Sequence, residues 1–154
     1  MRVKIKKLHP DAIIPKYATP GAAGFDLVAI EDVAIEPSTT VLIKTGLSFE
    51  IPEGYELQIR PRSGTSLRTP LRVANSPGTV DADYRGEVCV IMSNIQVHPS
   101  YSAGLYGVSL AQYINKGDRI AQGVICPIIQ GSFVEVEELN NTQRGAGGFG
   151  STGV

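Results

Sequence analysis

Proline sets the first limit on this chain. Pro15, Pro20, Pro37, Pro52, Pro61, Pro70 and Pro77 recur at intervals of five to seventeen residues. A proline inside a helix removes a backbone hydrogen bond and clashes with the preceding turn, so this spacing leaves little room for helices over the first half of the sequence. Between the prolines, apolar residues recur with a period of two. Val3 and Ile5 alternate with Arg2, Lys4 and Lys6, the pattern of a half-buried strand. Further apolar runs fall at 25–30, 40–44, 47–51, 55–59, 71–74, 87–93, 120–129 and 133–136, and Gly, Pro, Asn or Asp punctuates nearly every gap. Many short strands with regular turn signals predict an all-β sandwich or barrel. The one helix expected is a turn or two at Gly64–Arg68, ahead of Pro70.

A chain of 154 residues fits one domain. Charged residues make up 19% of it, below the roughly 25% of an average domain, which speaks against disorder, coiled coil and long solvated helices. The net charge of −1 gives no bulk attraction to nucleic acid or to an anionic membrane, so neither is expected as a partner. No run reaches the roughly 18 apolar residues of a membrane-spanning helix, and no apolar stretch follows the basic N-terminus. The expected location is cytoplasmic. Cys89 and Cys126 each lie in an apolar run and read as free, buried thiols. His9 and His98 stand far apart, next to prolines and without partners at metal-ligand or triad spacing, which argues against a zinc site or a Ser-His-Asp hydrolase.

Two segments depart from the strand pattern. Residues 97–113 are polar, small and tyrosine-bearing (Tyr101, Tyr106, Tyr113) and read as an extended loop or hairpin. Residues 142–154 are glycine-rich, without core-forming content, and read as a mobile tail unless something binds them. Gly145, Gly147 and Gly150 spell G-x-G-x-x-G, but the chain ends four residues later, so the strand–turn–helix context of a dinucleotide site is missing. The composition suits a lid over a phosphate chain as well as a disordered tail.

Four more segments carry candidate chemistry. In Pro61-Arg62-Ser63-Gly64, a guanidinium, a hydroxyl and free backbone amides can bind phosphate, or Ser63 can simply cap the short helix. In the stretch from Asn75 to Glu87, Pro77-Gly78 reads as a β-hairpin turn. Asp81 and Asp83, two residues apart, would share a strand face there, as a general base, as cation ligands, or as ordinary turn polarity. Asp26 sits inside the apolar run Ala23-Gly24-Phe25-Asp26-Leu27, and Gly117-Asp118-Arg119-Ile120-Ala121-Gln122 places polar groups on another strand; taken alone, a solvated face or a structural hydrogen bond is the plainer account of both.

Taken together, in this order and spacing, the five segments resemble the motifs of the trimeric dUTPase family, and the resemblance runs from Val3 to the C-terminus. It implies a jelly-roll-like distorted β-barrel over residues 1–141, with one short helix, and a flexible C-terminal arm over 142–154. It implies a homotrimer whose active sites are shared between chains, and hydrolysis of dUTP to dUMP and pyrophosphate with Mg²⁺. Asp81 then resembles the water-activating carboxylate, and Asp26 the acid that reaches metal-bound waters. Arg62, Ser63 and Gly64 resemble the phosphate-binding turn, joined by Gln122. The hairpin with Asn75, Gly78 and Val80 would read uracil, and Tyr84 would pack on the deoxyribose. From the arm, Arg144 would meet the γ-phosphate, Phe149 would stack over uracil, and Gly150, Ser151 and Thr152 would close on the substrate. Mg²⁺ would be held by phosphates and waters, with no direct protein ligand. The sequence departs from the family pattern in a longer stretch at 95–116, read as a surface loop or hairpin that leaves a protein partner open. It departs again at Gly123, which suggests close packing. The alternatives are a dCTP deaminase of the same fold, disfavoured because no deaminating glutamate stands beside the 61–64 turn, and a nucleotide-binding regulator.

Overall fold

The period-two pattern becomes ten short strands and one helix in the computed structural model, which describes residues 1–97, 110–149 and 151. In chain order the strands are β1 (Lys4–Lys7), β2 (Phe25–Val28), β3 (Val33–Ile35), β4 (Thr40–Glu50) and β5 (Tyr55–Arg60). After α1 (Ser63–Arg68) come β6 (Leu71–Val73), β7 (Gly78–Val80), β8 (Val88–Asn94), β9 (Gln112–Ile114) and β10 (Arg119–Pro127). One antiparallel sheet has the order β1-β4-β8-β6, a second has the order β2-β10-β5-β7, and β3 pairs with β9. Leu27, Ile43, Phe49, Leu57, Val90 and Ile120, drawn from both large sheets, are all within 2% of complete burial. This is the all-β, jelly-roll-like architecture expected.

Strand alternation sets which residues enter the core. In β8, Val88, Val90 and Met92 are buried while Cys89 and Ile91 are half-buried on the other face. The two apolar runs at 40–44 and 47–51 form a single strand. Its register slips between Lys44 and Leu47, where Gly46 adopts a φ of 67°, the signature of a bulge that bends the strand without ending it. Asn94 is 1% exposed; its Nδ2 donates to the carbonyls of Ile35 and Leu110 and its Oδ1 accepts from the Gln96 amide, so one buried side chain ties both ends of the insert to the barrel.

Four expectations change. Three-residue strands at 33–35 and 112–114 were hidden by their brevity, and β9 begins at the end of the stretch read as an extended loop or hairpin. The run Phe133–Val136 is not a strand: β10 ends at Pro127, and Phe133 is fully exposed, because no strand of the same chain pairs with this run among the described residues. Pro77-Gly78 does not close a β-hairpin. Its flanking strands belong to different sheets, β6 pairing with β8 and β7 with β5, so the turn carries the chain from one sheet to the other. The two cysteines are free but half-buried. His98, Tyr101 and Tyr106, and Gly150 and Thr152 of the tail, lie outside the described residues.

Candidate functional site

Adjacent strands assemble the first cluster. Gln122 on β10 stands opposite Asp26 on β2 and Arg60 on β5. Pro61 then ends the β5 ladder, and the chain turns into α1. Asp26 accepts a 2.7 Å hydrogen bond from Arg62 Nε on one carboxylate oxygen and a 3.3 Å bond from Arg119 on the other. Gln122 Nε2 donates to the Pro61 carbonyl at 2.9 Å. The turn is therefore held twice, its guanidinium by Asp26 and its backbone by Gln122. Arg62 and Asp26 side chains are 24% and 32% exposed, so this ion pair is shielded in part from solvent screening. Gly24 makes the arrangement possible, since a Cβ there would come within 2.6 Å of Gln122 Oε1.

Ser63 does not cap the helix. The N-cap position is Arg62, with no side-chain capping bond, and Ser63 is the first helical residue. Its hydroxyl is thus not consumed by a cap. Arg68 folds back over Gly64, near enough that a Cβ on Gly64 would lie 2.7 Å from its guanidinium. Arg62 and Arg119 share the carboxylate of Asp26, and Arg68 adds a third guanidinium at the same turn, a donor set suited to a multiply charged anion. Sequence reasoning did not assign Arg68 or Arg119 to a site; the signal for Arg68 was its place four residues after Gly64 on a short helix, which returns its side chain to the turn.

The second cluster forms where the chain crosses between sheets. Residues 75–87 border a cavity of about 440 Å³. Ile59, Gly78 and Val80 line it from one sheet, and Leu42, Cys89 and Ile91 from the other. Asn75, Asp81 and Tyr84 supply its polar edge. Gly78 leaves space for the Asn75 amide, which would stand 3.0 Å from a Cβ at that position. Val80 is 9% exposed, so it belongs to the core while still lining the cavity. Asp81 is exposed and also borders a neighbouring cleft with Glu53 and Asp83. Asp81 and Asp83 do not share a strand face, because β7 ends at Val80 and both follow it in a turn. Burial and the nearby Glu87 charge push the Cys89 thiol up to about 11.

No residue of the cationic cluster lines the 75–87 cavity. Among the described residues of the tail the bonds are local: Arg144 Nε donates to the Gly147 carbonyl at 2.7 Å, and the Ser151 amide to the Gly148 carbonyl at 3.0 Å. Phe149 is fully exposed, at a φ of 51°. The structure thus brings Asp26, Arg62, Ser63, Gly64 and Gln122 together, and separately Asn75, Gly78, Val80, Asp81 and Tyr84. Among the described residues, no group of three or more His, Cys, Asp or Glu side chains is arranged to hold a metal ion. No helix among them is long and apolar enough to cross a membrane.

Comparison with known proteins follows the same segments. The chain matches the dUTPase family over residues 10–102 and 108–153. It is 54% identical over 153 residues to the deoxyuridine 5'-triphosphate nucleotidohydrolase of Nautilia profundicola, covering 99% of each chain. The dUTPase of Staphylococcus bacteriophage 80alpha, solved with dUPNHPP, superposes with a TM-score of 0.88 at 31% identity, covering 99% of each chain. A point mutant of the dUTPase from the S. aureus phage phi11, described as coordinating a structural Mg(II) ion, superposes with a TM-score of 0.79 at 29% identity, covering 90% of this chain and 98% of that one.

Proposed function

Since the chain belongs to the dUTPase family, we propose that it hydrolyses dUTP to dUMP and pyrophosphate, limiting uracil incorporation into DNA and supplying dUMP for dTMP synthesis. The observation that carries the reading is the pairing of a cationic turn, organised by Asp26 and Gln122, with a cavity that presents the exposed carboxylate of Asp81. Arg62, the Ser63 hydroxyl, the Gly64 backbone and Gln122 bind the phosphate chain. Asp81 orients a water for in-line attack at the α-phosphorus.

The 75–84 segment reads the base. Its backbone at Gly78 and Val80, with the Asn75 amide, pairs with the uracil edge. A 5-methyl group has no space there, and cytosine presents a donor where uracil presents an acceptor, leaving buried polar groups unpaired. Tyr84 packs on the deoxyribose. Arg144, Phe149, Gly150, Ser151 and Thr152 close the site over phosphates and base. The residues around the turn are guanidinium, amide and hydroxyl donors, which fit a triphosphate that brings its own cation. Mg²⁺ bound to the phosphates would neutralise charge as the bond to pyrophosphate breaks, with Asp26 facing its waters.

Assembly as a homotrimer is supported by the apolar segment that one chain leaves uncovered. Ile129, Phe133, Val134 and Leu139 are each at least 78% exposed. It is supported too by the separation of the cavity from the cationic turn, which a neighbouring chain can bridge. Exposed Tyr113 keeps a protein partner at the 95–116 insert in view, and the enzyme is assigned to the cytoplasm. The test is pyrophosphate release with Mg²⁺ from dUTP, dCTP, dTTP and UTP by the wild type and Asp81→Asn. Release from dUTP alone, lost in Asp81→Asn, is expected. Uracil nucleotide formed from dCTP would select the deaminase, and tight dUTP binding without turnover would select a nucleotide-sensing role. A monomer in sedimentation would overturn the shared site.

A further inference from the structure

The residues behind Tyr84 are held more firmly than an exposed loop requires. The segment 85–88 returns from the cavity to β8 and passes the bulge of β4, which grips it at three points. Ser48 Oγ donates to the Arg85 carbonyl at 2.8 Å, the Gly46 amide donates to the Glu87 carboxylate at 2.7 Å, and Thr45 Oγ1 donates to the Val88 carbonyl. Ser48 and Thr45 are 6% and 1% exposed, so water does not compete for their bonds. The bulge turns the Gly46 amide out of the β4–β8 ladder and makes it available to Glu87.

Tyr84 folds back onto this base. Its hydroxyl donates to the Glu87 carbonyl at 3.1 Å. Its ring edge covers Gly86: a Cβ there would overlap the Tyr84 hydroxyl oxygen and sit 3.0 Å from ring atom Cε2. The backbone of Gly86 lies outside the left-handed region, so the absent side chain is what matters. The other side of the ring is open, with the residue 46% exposed, and it borders the cavity beside Asn75 and Asp81.

We propose that Gly86 is a positioning residue for sugar selection: by letting Tyr84 rest on a backbone fixed by the β4 bulge, it keeps the ring from stepping aside for a 2′-hydroxyl. The inference rests on the assignment of Tyr84 to the deoxyribose made above. A ring with its back against gripped backbone cannot yield to a ribose, whereas a ring pushed off Gly86 turns into solvent and opens the cavity.

The test measures kcat/KM for dUTP and UTP in wild type, Gly86→Ala, Tyr84→Ala and the double variant, each checked for folding by circular dichroism. Gly86→Ala is expected to lower the dUTP:UTP ratio about tenfold, the scale of a lost packing contact in a specificity pocket. It should add nothing further in the Tyr84→Ala background, because its effect passes through that ring. An unchanged ratio in folded Gly86→Ala, or an equal fall without Tyr84, overturns the proposal. If Tyr84→Ala itself leaves the ratio unchanged while dUTP is hydrolysed, the sugar assignment fails and takes this inference with it; a fall in Tyr84→Ala alone sinks only the role of Gly86. Should Gly86→Ala not fold, Tyr84→Phe decides, since it keeps the ring and removes the bond to Glu87. A fall of about threefold is then expected, the worth of one exposed hydrogen bond, and no change refutes the grip.

Discussion

Substituting Gly123 with alanine separates the packing beneath the site from its chemistry. Gly123 on β10 stands opposite Phe25 on β2. A Cβ there would meet Phe25 Cε2 at 2.5 Å, Phe25 Cζ at 2.6 Å and Leu57 Cδ1 at 2.9 Å. Carbon atoms prefer roughly 3.5–4.0 Å, so the ring must shift by about 1 Å. It has nowhere easy to go. Phe25 is 8% exposed, stacked on Phe49 with centroids 6.2 Å apart and met edge-on by Tyr17 at 5.7 Å. Overpacking of this kind costs about 1–3 kcal/mol, and for a chain of this size each kcal/mol lowers Tm by about 2–4 °C. Gly123→Ala should therefore melt about 2–12 °C below wild type at equal protein concentration, with a matching loss in urea denaturation. Gln122 and Asp26 point to the opposite face from Gly123 and Phe25, so pyrophosphate release from dUTP at room temperature should stay within about twofold of wild type. Phe25→Leu should offset part of the loss, with a coupling of about 1 kcal/mol in a double-mutant cycle. Stability within about 0.5 kcal/mol of wild type would refute the reasoning, since it would mean the core beside β10 has slack that the contacts deny.

Three further outcomes are expected. Asp26→Asn frees Arg62 and Arg119 from their shared carboxylate; KM for dUTP should rise about tenfold while stability falls by about 1 kcal/mol, the pair being partly exposed, and an unchanged KM would show that Arg62 is positioned by something else. Gly24→Ala should drive the Gln122 carboxamide from the Pro61 carbonyl, lowering kcat/KM about tenfold at a stability cost near ~1 kcal/mol because a flexible side chain absorbs the clash; equal activity would remove Gln122 from the site. Cys89, with its thiol pushed up to about 11, carries about 10⁻³ thiolate at pH 8, so iodoacetamide should label it roughly a hundredfold more slowly than an ordinary thiol. The labelling rate should climb through pH 11, and a plateau near pH 9 would contradict the effect of burial.

The strands could be read from alternation because a half-buried strand must present apolar residues every second position, and the same logic placed β2, β5, β8 and β10 within a residue or two. Apolar content misled at Phe133–Val136, where hydrophobic residues imply burial against something but do not say in which chain. Three-residue β3 and β9 are too short for a period to register, and they pair across a long sequence separation, with Asn94 bonding the carbonyls of residues 35 and 110 beside them.

The site divides the same way. Residue types and spacing raised Asp26, Arg62, Ser63, Asp81 and Gln122 as candidates beside plainer structural readings, and the resemblance to the dUTPase family added Asn75 and Tyr84 and gave each residue its role. Partnership was beyond reach of the sequence. Asp26 and Arg62 are 36 residues apart and meet only because β2, β10 and β5 lie side by side. Pro77-Gly78 has the local chemistry of a hairpin, yet strand pairing on two different sheets makes it a crossover and opens the cavity beside it. Gly24 and Gly86 carry no side chain to interpret, and their importance lies wholly in what would collide with one; at Gly123 the departure from the family pattern already suggested close packing, and the structure identifies Phe25 and Leu57 as the neighbours. Local stereochemistry thus determined the elements and the chemical groups, while long-range packing decided which groups touch, because contact is a property of assembled strands that no stretch of chain contains by itself.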